Sequence, residues 1–361
     1  MIRVLAAPGL LLVFVTLWDT FETIVLPRRV SRRWRLTRHY YIFGWRIWSW
    51  WVVRMRREAA RENFLAFFGP ISLLLLAIMW AALLIFGFAT LHFAFGSHLS
   101  TNGGPAGFGF DLYFSGTTLF TLGLGDVIPN STPARIITVT EAGTGFGFLA
   151  LVIGYLPVLY QAFSRREVSI SLLDARAGSP PTAGALLVRY SPATGLGHVD
   201  AFLSDWERWS AELLESHLSY PLLAYFRSQH DRQSWLAALT AILDATALVV
   251  ACMEDPRGTQ PQLTFAMARH AAIDLEQIFG GDITASPLRM SFDDLPRLRA
   301  LLAGWSPPGT DLDAAARRLT ALRASYEPLV WRIGVRLLMP LPPWFPVAEA
   351  HDDWETGPLH G

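Results

Sequence analysis

Charged residues are absent from two long stretches of the chain, 48 residues between Glu62 and Asp111 and 23 between Glu141 and Arg165. A bilayer core needs about 20 apolar residues in helical form. The first stretch therefore predicts a spanning helix over Ile71–Phe95, entered through Phe64–Pro70, and the second predicts another over Pro133–Ala162. A third span opens the chain at Val4–Leu26 and ends at Pro27; acids sit where a signal peptide would be cut and no Ala-x-Ala-like site follows, so the span is read as uncleaved. Beyond residue 163 apolar positions recur at three and four, as amphipathic helices require. The pattern predicts helices over Phe202–His217, Pro221–Ser228, Trp235–Cys252, Leu263–Phe279, Leu295–Leu302 and Leu312–Leu338, after a loop around Gly178–Gly184. The fold class is thus an all-α membrane protein: three transmembrane helices and a helical C-terminal domain. The segments are 1–26 (first span), 27–63 (basic), 64–162 (membrane domain), 163–347 (helical domain) and 348–361 (tail).

Composition agrees: 52% of the 361 residues are hydrophobic and only 17% charged, which argues against disorder and against an ordinary soluble enzyme. Net charge is zero, which excludes nucleic-acid binding by bulk positive charge. That zero is uneven, at +9 over 27–62, −6 over 163–361 and −3 elsewhere. The positive-inside rule places the 27–62 loop in the cytoplasm, so the N-terminus lies outside, residues 96–132 face out and the C-terminal domain is cytoplasmic, in a bacterial inner or plasma membrane. Every basic residue is arginine, which removes Schiff-base lysines and phosphate-loop lysines. The single Cys252 excludes an intrachain disulfide.

Between the second and third spans lies Asp111-Leu-Tyr-Phe-Ser-Gly-Thr-Thr-Leu-Phe-Thr-Leu-Gly-Leu-Gly-Asp126. Its first ten residues predict a short helix capped by Asp111, whose C-terminus carries partial negative charge. Glycine at alternate positions in Thr121–Gly125 permits a backbone whose successive carbonyls point one way, a stack of oxygen ligands suited to a hard cation. Tyr113-Phe114-Ser115 through Thr121-Leu122-Gly123-Leu124-Gly125-Asp126, set between two spans, resembles the pore loop of the potassium channel superfamily, in its prokaryotic, single-pore-loop, two-pore-domain-like type. The resemblance covers about residues 65–165. It implies a re-entrant pore helix and filter, K⁺ as permeant ion at Thr121, Leu122, Gly123, Leu124 and Gly125, and, with one loop per chain, a homotetramer. Asp126, Tyr113, Phe114, Phe120 and Glu141 are the expected filter supports. Leu124 departs from the family: it stands where tyrosine is usual and donates no hydrogen bond, so the filter's surround is expected to be held by packing alone. Two other readings stay open, a weakly selective cation channel and a nonconducting receptor or scaffold working through its C-terminal domain.

In the third span Gly143 and Gly147 form a small-xxx-small pair, and with Gly145 and Pro157 they are the candidate hinge and packing positions of a gate. Glu141 lies either behind the filter or toward a cavity. Asp19 and Glu22 share one helical face and are expected to pair with Arg28, Arg29 or another arginine. His92 and His98 are expected at the outer interface. Arg29, Arg32, Arg35 and Arg38 repeat every three residues, but too few spans exist for a voltage sensor; the Arg28–Arg61 segment reads instead as a binder of anionic lipid, with His39–Val53 as an interfacial helix rich in tryptophan.

The C-terminal domain lacks a Gly-x-Gly-x-x-Gly nucleotide signature and any catalytic constellation. His217, His230 and His270 with Asp231 and Glu215 match no ligand spacing, so they are read as helix-surface residues and no structural metal is expected. Tetramerisation, or binding of an unidentified ligand or protein, would suit this domain.

Overall fold

The computed structural model describes residues 2–26, 35–95, 99–101, 107–190, 199–229, 232–280, 289–290 and 292–346. The chain is mostly helical and divides into two compact units, Met1–Gln161 and Ala162–Gly361. The first contains α1 (Ala6–Ile24), α2 (Leu36–Val52), α3 (Glu58–Ala94) and α4 (Phe108–Leu119); α5 (Thr132–Ala177) runs through the division. A two-stranded antiparallel ribbon, β1 (Leu99–Thr101) with β2 (Val127–Pro129), pairs Leu99 with Pro129 and Thr101 with Val127, a small β element that helical periodicity does not predict. Four helices are long and apolar enough to cross a membrane: α1, α3, α5 and Trp235–Cys252. The sequence pattern assigns three spans, and the fourth candidate differs in kind from the others: every residue of its apolar window is buried in protein.

In the first unit α1 crosses α3 closely. A Cβ added at Gly87 would meet Val13 Cγ2 at 2.7 Å, so only glycine permits this approach. The apolar run before Ile71 is not a separate lead-in: α3 continues through Pro70 for 37 residues, about 55 Å, with one backbone bond forfeited. Buried acids fix where the helices meet. Among the described residues Asp19 pairs with no arginine; it accepts from the Thr37 hydroxyl (2.6 Å), the Thr37 amide and the Trp80 indole (2.9 Å), tying α1 to the start of α2 and to α3. Glu22 accepts from Trp18 and pairs with Arg35 at 3.4 Å. Arg28, Arg29, Arg32 and His98 lie outside the described residues. Arg35 precedes α2 and donates to Thr23, a structural tie.

Within α2, Trp45 is buried and Trp48 stacks on Phe64 at 4.3 Å, while Ile47, Trp50 and Trp51 are exposed and Arg54 covers the Trp50 ring. One face thus grips the start of α3 and the other presents aromatics and arginine.

The second unit comprises α6 (Ala183–Arg189), α7 (Val199–Ser219), α8 (Trp235–Cys252), α9 (Gln260–Phe279), α10 (Leu295–Trp305), α11 (Leu312–Ala324) and α12 (Glu327–Leu337). All eighteen residues of α8 are buried, making it the core helix around which the others pack. The loop expected around Gly178–Gly184 runs from Gly178 to Thr182, whose hydroxyl caps α6, a short helix that the sequence pattern does not assign. Two sequence expectations change here: Pro221–Ser228 narrows to a 3-10 turn at Pro221–Tyr225, and Leu312–Leu338 breaks at Tyr326, because Pro328 in the first turn of α12 has no N–H to continue a helix.

Asp244 sits in the middle of α8 at 0% exposure. Arg289 clasps both its oxygens at 2.7 and 2.9 Å and reaches Glu327 at 3.0 Å, while the Tyr326 hydroxyl donates to Asp244 at 2.6 Å. His217 is no surface residue: it is fully buried, its Nδ1 2.8 Å from the Leu213 carbonyl and its Nε2 3.3 Å from Arg166. Arg166 donates to the Leu223 and Phe226 carbonyls, so the end of α5 grips the 3-10 turn. Among the described residues no cluster of three potential metal ligands occurs; His230 and Asp231 lie outside them.

Two outcomes are expected. Asp244→Ala leaves the Arg289 charge buried and short of its main partner, at a cost of about 3–5 kcal/mol, read as a lowered denaturation midpoint. Burial and the neighbouring Arg166 charge push the His217 pKa down to about 3 from 6.5. The unfolded chain therefore takes up a proton that the folded chain refuses, and stability falls as pH drops from about 6.5 toward 3. That component of the acid sensitivity should vanish in His217→Gln.

Candidate functional site

The short helix α4 begins at Phe108 with Gly107 as its N-cap, so Asp111 is not its cap; Asp111 lies in the first turn and is fully buried. At the other end the helix closes by two bonds, Leu122 N–H to the Thr117 carbonyl (2.8 Å) and Thr121 N–H to the Thr118 carbonyl (3.0 Å). This is a Schellman closure, which requires a left-handed residue between helix and exit. Thr121 takes that place with φ +58°, where glycine is usual and a β-branched residue is strained. Gly123 (φ +55°) and Gly125 (φ +77°) repeat the left-handed conformation, while Leu122 and Leu124 do not. Handedness thus alternates residue by residue over Thr121–Gly125, the condition under which successive carbonyls turn to one side.

All five residues, with Asp126, are exposed in the single chain, Leu122 and Leu124 to 63% and 62%. The expectation of support by packing alone does not describe this loop. The Tyr113 hydroxyl donates to Asp126 at 2.9 Å across the loop, and the contact pushes the Tyr113 pKa up. Phe114 does pack, edge-on to the His92 ring and against Val127. Phe120, at the helix end, is 43% exposed.

Behind α4 lies a buried polar cluster. Glu141, at 0% exposure, contacts Ser115 Oγ through Oε1 and stands 3.1 Å from His92 Nε2 through Oε2. Ser115 Oγ also reaches the Ile85 carbonyl at 2.8 Å. Helices α3, α4 and α5 meet at this point, and Glu141 is turned toward α4. His92 is therefore buried, and is not the interfacial residue its position suggests. Neither His92 nor Ser115 carries a local signal; they lie 49 and 26 residues from Glu141 and come together only in the fold.

Of the glycines in α5, Gly145 makes the close contact. A Cβ there would lie 1.9 Å from the Leu119 carbonyl oxygen, so the end of α4 rests on the α5 backbone. Gly143 and Gly147, the spaced pair, would meet nothing within 4 Å in the single chain. Gly147 borders a shallow groove of about 590 Å³ between α1 and α5, lined also by Leu17, Phe21 and Leu151. Pro157 is exposed within an unbroken α5. Buried positions on α5, from Glu141 and Gly145 through Phe148, Tyr155 and Leu159, share one face. Val139, Phe146 (72%), Ile153 and Tyr160 form an exposed apolar stripe at heptad spacing on the other.

Residues 74–161 match the family model described as ion channel. The chain is also 26% identical over 227 residues to an uncharacterized membrane protein of Bacillus subtilis (strain 168), YdjJ; the alignment covers 62% of this chain and 64% of that protein. No solved structure matches. The family match falls on the segment whose motif resembles the potassium channel superfamily, and it includes α4, the Thr121–Gly125 loop and Glu141. That segment is similar to ion-channel domains, and the relative it aligns with is a membrane protein.

The backbone contact at Gly145 leaves no side chain to yield. Gly145→Ala should separate α4 from α5 and abolish monodisperse protein in detergent, whereas Gly143→Ala, which meets nothing in the single chain, should leave the monomer fold intact by circular dichroism.

Proposed function

We propose that four copies of this chain form a cation channel selective for K⁺, conducting through the carbonyls of Thr121 to Gly125, with the Thr121 hydroxyl below them. The observation that carries the reading is the alternation of backbone handedness over Thr121–Gly125 at the C-terminus of a short, half-buried helix. Such a backbone offers a ladder of oxygens to a dehydrated cation, and the negative end of the α4 dipole points at its foot. One loop supplies a quarter of a ring. Its full exposure in the single chain, and the apolar stripe on α5, suit surfaces that other copies cover.

In this reading α1, α3 and the first part of α5 span the membrane, with the N-terminus outside and the second unit in the cytoplasm. The apolar segment of α8 stays out of lipid because protein already encloses it. Gating falls to the filter or to α5, at Gly143, Gly147 and Pro157. The exposed Trp50, Trp51 and Arg54 face of α2, with Arg56 and Arg57, meets anionic headgroups at the cytoplasmic surface.

A second reading, weaker discrimination between K⁺ and Na⁺, draws on Leu124. Its side chain is exposed and donates no hydrogen bond, so nothing polar within the chain fixes the filter's diameter there. Flux of ⁸⁶Rb⁺ into proteoliposomes, competed by K⁺ or Na⁺, separates the two. Preference for K⁺ is expected, raised further in Leu124→Tyr; equal competition by Na⁺ sinks the selective reading, and absence of any flux sinks conduction itself.

A further inference from the structure

The cluster behind α4 can be read by counting protons. Ser115 Oγ has one hydrogen and two neighbours that accept, the Ile85 carbonyl at 2.8 Å and Glu141 Oε1. The carbonyl can only accept. If Glu141 were ionised, the single Ser115 proton would serve one contact, and the other would bring two lone pairs face to face in a site closed to water. A proton on Glu141 Oε1 removes the conflict: the carboxyl donates to Ser115 Oγ, and Ser115 donates to Ile85 O.

His92 answers the same count. Its Nε2 lies 3.1 Å from Glu141 Oε2, which in the protonated acid is the oxygen left to accept. Its Nδ1 is buried with no hydrogen-bond partner. An imidazolium would place an N–H at Nδ1 with nothing to receive it, while a neutral ring protonated at Nε2 leaves only a lone pair there. An ion pair between His92 and Glu141 thus leaves two defects, and the neutral arrangement leaves neither a stranded donor nor opposed lone pairs. The other titratable groups on these helices near this level are Asp111 and Tyr113 on α4; Asp111 is buried one turn before Ser115, and Tyr113 is engaged by Asp126. No arginine faces the cluster from α3, which carries none between Arg61 and its end.

We infer that Glu141 is held as the protonated acid, a neutral hydrogen-bond relay running from His92 through Glu141 and Ser115 to the Ile85 carbonyl. The relay pins α4 to α3 at Ile85 and to α5 at Glu141, and α5 to α3 at His92, without placing charge behind the loop. In the channel reading, on which this last consequence rests, Glu141 is a positioning residue for the filter, and the field that an ion meets there is set by carbonyls and Asp126.

The test uses the full chain in lipid vesicles. Infrared difference spectra of wild type minus Glu141→Gln should show the carbonyl stretch of a protonated, hydrogen-bonded carboxylic acid. The band should persist from mildly acidic to mildly alkaline buffer and shift upward in Ser115→Ala, which removes the acceptor. Glutamine reproduces the relay, since its amide donates to Ser115 and its carbonyl accepts from His92. Glu141→Gln should therefore keep the wild-type melting midpoint, while Glu141→Ala lowers it. Carboxylate stretches in place of the acid band, or a Glu141→Gln variant as unstable as Glu141→Ala, would overturn the assignment. Wild-type protein that shows the band and passes no ion would overturn conduction and leave the proton assignment standing.

Discussion

A polar group placed in an apolar helix must find its partners on other elements, and this requirement organises the molecule. Three of the long apolar helices carry a buried acid within their length: Asp19 on α1, Glu141 on α5 and Asp244 on α8. None can stay buried unsatisfied, because the desolvation cost exceeds the worth of most single contacts. Each is met by groups distant in sequence, Asp19 by Thr37 and Trp80, Glu141 by His92 and Ser115, Asp244 by Arg289 and Tyr326. Hydrophobic packing alone would let apolar helices slide past one another. The acids specify one rotation and one height for each.

The same requirement explains how a short irregular loop is held. Twelve residues of α4 are too few for a stable isolated helix, and the Thr121–Gly125 backbone makes few bonds of its own. Stability is supplied from behind and from the ends: Ser115 and Phe114 on the buried side, the β1–β2 ribbon beyond, the Tyr113–Asp126 bond across. The loop itself and a face of α5 stay exposed, and they are the surfaces on which the proposed assembly of copies rests.

How much was legible in the sequence follows from the range of each signal. Helices α3 and α5 announce themselves in charge-free runs and α1 in a mostly apolar one broken by Asp19 and Glu22, and the glycine alternation of the loop is local, so these could be read directly. Helices α7 to α10 follow from periodicity. Short elements escape it: α6 has seven residues, too few for a period to repeat, and the break at Tyr326 is hidden because apolar spacing continues through it. Partners of buried groups are the least legible. Asp19 looked for arginine because arginines were near in sequence, yet hydroxyl, amide and indole donors satisfy it, and His217 looked like a surface residue because nothing local marks it as enclosed by Arg166.

The contact between Gly145 and the Leu119 carbonyl bears on what the chain can become. Most packing contacts are side chain to side chain, and paired substitutions can exchange bulk between the two partners while preserving the fit. Here the Leu119 partner is main chain, and no replacement elsewhere can give back the missing space. The position admits one amino acid, and the separation of α4 from α5 is a constant of the fold that mutation can break but cannot tune. Variation in this part of the chain is thereby directed elsewhere, to the side chains at Leu122 and Leu124 and to the exposed stripe of α5, where shape can drift without the backbone being asked to move.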